Sequence, residues 1–258
     1  MHKEKKTAQN SIVRSALQTL AAIAVLIGIW GVAYLAAGNE LLLPSFFDCV
    51  KAAGQALGQK SFWIGFSSTL LRVLIAFLIS ASLAVVFAVI SYLLPVFGGI
   101  FSKITAALRT LPTLAITLIL LVWTNATVAP VAVAFLSLFP MLYAGYFAAL
   151  AEVDAGLIEM SKVYRVPLKS RIFRLYLPSI APYALRESTA AVSFALKLVV
   201  SAEVLANTYK SLGGLMQEAK LYYEMPTLFA LVALTFLTGL CLEGLGGLLA
   251  SAVERRVK

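Results

Sequence analysis

Long stretches of this chain carry no charge, and short segments dense in charge separate them. No charged residue lies between Arg14 and Glu40, and Ser15 to Asn39 is enough for one helix across a hydrocarbon core, which takes about 20 apolar residues. A second span runs from about Gly65 to Ser91, with Arg72 near its start. The uncharged tract from Thr110 to Ala151 is about twice a bilayer thickness at about 1.5 Å per residue, so it must turn back. The polar run Thr124-Asn125-Ala126-Thr127 is the natural turn and gives spans three and four. Span three is the shortest, with Pro112 near its beginning. Span five starts after Pro178 and reaches about Ala202, interrupted by Arg186, Glu187 and Lys197. Span six runs from Pro226 to near Ser251, with Glu243 inside it. The pattern predicts an all-α polytopic membrane protein of six transmembrane helices. It forms a single membrane domain over 15–258 behind a charged tail, 1–14. Span one is longer than a signal-peptide core and no small-residue cleavage site follows it, so it is expected to be a retained helix.

Composition agrees. Of the 258 residues 61% are hydrophobic and 13% charged, with mean hydropathy +0.92, against about 45–50% and 25% in soluble domains. Net charge is +9, which in a soluble protein would suggest nucleic acid. Here the cations sort by topology instead. Lys3, Lys5, Lys6 and Arg14, then Lys103 and Arg109, then Lys162, Arg165, Lys169, Arg171 and Arg174, then Arg255, Arg256 and Lys258 fall in alternate flanking segments. The other three segments hold only Lys51, Lys60, Lys210 and Lys220. Positive charge stays inside, so both termini and the 152–177 loop are expected in the cytoplasm. Trp30, Trp63 and Trp123 fall near predicted span ends, as interfacial anchors do.

The polar residues exclude most chemistry. The single histidine is His2, and Cys49 and Cys241 are far apart, so neither a metal site nor a histidine base has support. Asp48 and Asp154 lie on opposite predicted sides, which leaves no aspartate pair. No catalytic or metal residue is assigned, and an embedded enzyme fits poorly. An ion-coupled secondary transporter is the alternative transport reading. It calls for inverted repeats and matching broken helices, and no repeat is evident here.

The loop after span four is long and patterned. Leu157, Ile158, Met160, Val163 and Tyr164 alternate with Glu159, Lys162 and Arg165 at helical spacing. A break follows at Val166-Pro167, then a second amphipathic stretch with Ile172, Phe173 and Leu175 beside Lys169, Arg171 and Arg174. Two short helices with a bend are expected. On physical grounds two readings stand: a surface held by acidic lipid headgroups, and a docking element for a soluble partner.

The residues Glu159-Met160-Ser161 … Leu175-Tyr176-Leu177-Pro178 resemble the "EAA" loop in the permease subunits of bacterial ABC importers. Met160-Ser161 replace its two alanines, and Arg165 replaces its glycine. Further pieces occur in order: Leu43-Pro44-Ser45, Ser68-Thr69-Leu70-Leu71-Arg72, Leu108-Arg109-Thr110-Leu111-Pro112, Ser201-Ala202-Glu203-Val204, Ser211-Leu212-Gly213-Gly214 and Glu254-Arg255-Arg256. Together they are similar to the nitrate/sulfonate/taurine branch of those permeases. The resemblance implies a type-1 importer membrane domain, its core at about 61–250, in the bacterial inner membrane. It implies a homodimer forming one pathway, two cytoplasmic ATP-binding subunits and an extracytoplasmic solute-binding protein, with no nucleic acid. The coupling-loop residues are then Glu159, Met160, Ser161, Tyr164, Arg165, Pro167, Leu177 and Pro178. No G-x-x-x-x-G-K-[ST] occurs, so ATP is expected to be used by the partner and no cofactor bound by this chain.

Ionisable groups at membrane depth are costly and mark function by default. Arg186, Ala190, Ser193 and Lys197, at offsets 0, 4, 7 and 11, share a helical face. Its two cations are about 16 Å apart. The face can line the pathway and attract a small anion such as a sulfonate, taurine or nitrate. For Arg186 a second reading is snorkelling to the cytoplasmic surface, with Glu243 at similar depth as a partner. Glu203 either shapes the outer gate or caps a solvated helix end, and Arg72 reads as an interface anchor. Gly239, Gly244, Gly246 and Gly247 suggest close helix packing, and Gly213-Gly214 a turn.

Overall fold

The computed structural model describes residues 2–257. The side chains of Lys3, Lys5, Lys6 and Arg14, and of Arg255, Arg256 and Lys258, lie outside what it describes. Every regular element among the described residues is helical: α1 (His2–Ala37), α2 (Phe46–Gly58), α3 (Lys60–Leu93), α4 (Pro95–Leu108), α5 (Thr113–Trp123), α6 (Ala129–Ala151), α7 (Ala155–Val163), α8 (Leu168–Arg171), α9 (Leu177–Ala206), α10 (Leu212–Leu221) and α11 (Met225–Val257).

Helices α3, α6, α9 and α11 are long and apolar enough to cross a membrane, and Ala24–Ala37 of α1 is a shorter apolar stretch. Span three takes another form than a helix from Thr110. Helix α5 has 11 residues, about 16 Å of rise, too short to cross alone. It pairs with α4 across a bend of 93°. The break has a local cause: Pro112 stands just before α5, and the residue before a proline is disfavoured in the helical region. Among the described residues four helices are long and apolar enough to cross, or five with the bent pair counted as one, which is compatible with six spans.

Small residues set the core. Along α3 the buried positions Gly65, Thr69, Val73, Ala76, Ser80, Ala84, Ala88 and Ser91 recur every three or four residues, so one stripe of the helix lets neighbouring backbones approach. Helix α6 fills that stripe with Leu138, Leu142, Tyr143 and Tyr146, and α9 adds Ala191, Ala195 and Val199. The Tyr143 hydroxyl donates to Ser91 Oγ at 2.9 Å, and Ser102 Oγ lies 3.2 Å from it. Its ring stands edge-on to Phe101, which stacks on Phe87. Away from the core, Leu71, Leu74, Leu78 and Val86 of α3 are more than half exposed. An apolar surface of that kind suits lipid, where helices satisfy their own backbone.

Candidate functional site

Helices α9 and α11 pack through small residues, and the cleft they share begins where that packing ends. A Cβ on Gly246 would lie 2.7 Å from Thr189 Cγ2, and Ser193 Oγ donates to the Gly239 carbonyl at 2.9 Å. These two glycines are therefore contact points; Gly244 and Gly247 face open space. Beyond the contact the helices part around a cleft of about 510 Å³, closed on one side by Met216 of α10. Its wall is mostly apolar, with Ser193, Lys197, Ser201, Thr235 and Glu243 as its polar members. Lys197 and Glu243 are both exposed to it, and no ion pair joins them.

The predicted face of α9 is resolved into two parts. Arg186, Ala190, Phe194, Lys197, Ser201 and Leu205 are exposed along one stripe, whereas Ser193 is buried, its hydroxyl committed to α11. Arg186 lies on this stripe about three turns nearer the 152–177 loop, outside the cleft wall.

Glu203 is not on the wall either. It is fully buried and is the hub joining α9, α3 and α10. Arg72 Nη1 donates to its Oε1 at 2.8 Å, and Thr69 Oγ1 donates to Oε2 at 2.9 Å. The backbone N–H of Gly213 donates to Oε2 at 3.2 Å, and that of Leu212 donates to Thr69 Oγ1 at 3.0 Å. The carboxylate thus collects three donors, two from α3 and one from α10, which is what a buried charge requires. Arg72 is accordingly a partner for Glu203 rather than an interface anchor, its side chain only 11% exposed.

Gly213 and Gly214 are needed here for space. They form the first turn of α10, capped by Ser211. A Cβ on Gly213 would sit 2.4 Å from Glu203 Cβ, and one on Gly214 2.1 Å from the Thr208 carbonyl oxygen. Thr69, Leu212 and Gly213 carried a readable signal: Arg72 and Glu203 are opposite charges at the same predicted depth, on segments whose neighbours are small or hydroxylated.

At the other end of α9 the 152–177 loop forms one free-standing helix and one continuous with α9. Asp154 caps α7, accepting from the Gly156 N–H at 2.7 Å. The turn after α7 is closed by two backbone bonds, Arg165 N–H to Lys162 O at 2.9 Å and Val166 N–H to Ser161 O at 2.9 Å, with Arg165 left-handed at φ 50°. That paired pattern is the Schellman turn, which glycine favours. The second predicted helix is not separate: α8 passes through a π turn, Ile172–Tyr176, directly into α9. Glu159, Met160, Tyr164, Arg165, Pro167 and Pro178 are exposed, Ser161 is buried and Leu177 is half-buried. Val163 and Tyr164 are more than three-quarters exposed. Among the described residues no three histidine, cysteine or acidic side chains gather to hold a metal.

Residues 80–257 match the model of the binding-protein-dependent transport system inner membrane component family, a span that takes in the loop, the cleft and Glu203. The chain belongs to that family. It is 25% identical over 232 residues to a protein of Brucella melitensis described as a probable ABC transporter permease, covering 90% of this chain and 92% of that one. A Brucella abortus protein of the same description is likewise 25% identical, with 90% and 91% covered. The fold of this chain matches a chain of a bacterial ABC transporter involved in the import of alginate at TM-score 0.65, 13% identity and coverage of 91% and 95%. It also matches an amino acid ABC transporter at TM-score 0.62, 17% identity and coverage of 81% and 98%. The protein is the permease component of an ABC importer: multi-pass, membrane-embedded, and a transport subunit rather than an enzyme.

Proposed function

We propose that two copies of this chain form one pathway for a small anion such as a sulfonate, taurine or nitrate. The pathway would be lined by the exposed stripe of α9 and the cleft against α11. The observation that carries the reading is Lys197, a cation exposed in a largely apolar cleft at membrane depth with no ion pair to Glu243 across it. A lysine so placed is stabilised by whatever anion occupies the cleft. On this reading both termini face the cytoplasm of a bacterial inner membrane, as the charge asymmetry of the segments favours, and a solute-binding protein delivers the anion from outside.

The 152–177 loop serves as the docking element for two copies of a cytoplasmic ATPase, which binds and hydrolyses the ATP. Exposed Met160, Val163 and Tyr164 beside Lys162 and Arg165 offer the apolar core and charged rim of a protein interface. The turn after α7 is compatible with this assignment, because Arg165 takes there the left-handed conformation that glycine favours.

The test is uptake by the reconstituted importer. Lys197→Ala should cut transport of a sulfonate or nitrate about tenfold, a loss of about 1.4 kcal/mol, with assembly unchanged and partial recovery in Lys197→Arg. Unaltered uptake in Lys197→Ala would remove the lysine from the pathway.

A further inference from the structure

Helix α2 and the two indoles that bracket it lie upstream of the matched residues and play no part in the cleft. The helix divides into three strips. Ala52 and Ala56 are buried, and α2 packs mainly on α11. Phe47, Val50 and Leu57 lie within about 80° of one another around the axis and are 82%, 54% and 42% exposed. Asp48, Lys51 and Gln55 form the third strip and line a polar cleft of about 390 Å³. With its inner strip held by the protein, the helix turns an apolar flank one way and a polar flank the other. That division suits a boundary between two media.

The indoles place the boundary at this height. Trp30 Nε1 donates to the Pro44 carbonyl just before α2, at 3.2 Å, and Trp63 Nε1 donates to the Leu57 carbonyl at its last turn, at 2.8 Å. Trp30 stands seven residues before the end of α1, about 10 Å along its axis. The chain therefore descends that far before α2 begins. Tryptophan concentrates where one edge is wet and the ring is in acyl chains.

We infer that α2 lies in the membrane–water boundary at the end opposite the 152–177 loop. Its Phe47–Val50–Leu57 strip rests on lipid acyl chains and its Asp48–Lys51–Gln55 strip faces water. Asp48 and Lys51 offset each other, so the seat is apolar and does not depend on acidic headgroups. Because α2 packs on α11, one wall of the cleft is thereby tied to a fixed depth.

The test uses the full-length chain with Cys49→Ser and Cys241→Ser, in vesicles of phosphatidylethanolamine and phosphatidylglycerol. Nitroxide labels are placed one at a time by cysteine substitution at 47, 50, 57, 48, 51 and 55. Collisions with oxygen should exceed those with a water-soluble nickel chelate severalfold at the first three positions, with the order reversed at the last three. Nickel access at all six would mean that the helix stands clear of the bilayer. Exclusion of both reagents at 47, 50 and 57, with dipolar broadening, would mean that a second copy covers the strip. Either result overturns the inference. As a readout free of introduced cysteines, lipids brominated near the headgroup should quench a Trp123→Phe chain more than lipids brominated at the chain ends. The opposite order counts against it.

Discussion

The two ends of the stretch from α7 to α10 close a helix in the same way and then diverge. After α9, Asn207 is left-handed at φ 47°, and Thr208 N–H returns to the Glu203 carbonyl at 3.0 Å. After α7, Arg165 takes the same conformation with the same paired bonds. Around Asn207 the chain is locked: Thr208 Oγ1 donates to the Ala126 carbonyl at 2.7 Å, and Ser211 to Thr208 at 2.8 Å. The Glu203 network then pins α10 to α3. Around Arg165 the chain is bare, with exposed residues on both sides and a π turn leading into α9. The contrast separates an end that fixes geometry from an end that offers a surface, and π turns of this kind recur at functional positions.

Breaking the locked end should cost most. Glu203→Ala leaves Arg72 nearly buried without its carboxylate, a loss of about 3–5 kcal/mol, read as lost detergent-stable protein and lower melting temperature. Arg72→Met with Glu203→Leu removes both charges together, so it should be milder than Glu203→Ala alone. A double variant as damaged as the single would mean that the network matters through its backbone donors instead. Gly213→Ala comes next: its Cβ would meet Glu203 Cβ at 2.4 Å and the Val204 backbone nitrogen at 2.6 Å, and overpacking of this kind costs about 1–3 kcal/mol. At the bare end the sign reverses. Arg165→Gly should be neutral or stabilising by up to about 1 kcal/mol, since glycine carries no penalty at positive φ. Thermal melts of the two glycine-related variants, compared directly, sharpen the contrast: Gly213→Ala falls while Arg165→Gly holds or rises.

Much of this was legible in the chain. Long apolar tracts located α3, α6, α9 and α11, because a span needs little more than length and hydropathy. The bend between α4 and α5 was signalled only by Pro112, and its angle depends on packing against α3 and α6, which periodicity does not report. Arg165 was readable as a departure at a glycine position. That the turn survives the exchange follows from two backbone bonds that no side-chain pattern encodes. Ser193 shared a helical face with Lys197 by spacing, yet the approach of Gly239 drew its hydroxyl inward. Arg72 and Glu203 stand 131 positions apart, and only the antiparallel folding of the spans brings opposite charges at one depth into contact.

The most direct test of the account is co-purification of this chain in mild detergent from its host, beside a Met160→Asp/Tyr164→Asp variant. The account predicts that an ATP-binding subunit accompanies the unaltered chain and is lost from the variant, while the two chains remain equally stable. Absence of an ATP-binding subunit under conditions that keep the chain intact, or its undiminished retention by the variant, would contradict the role assigned to the 152–177 loop.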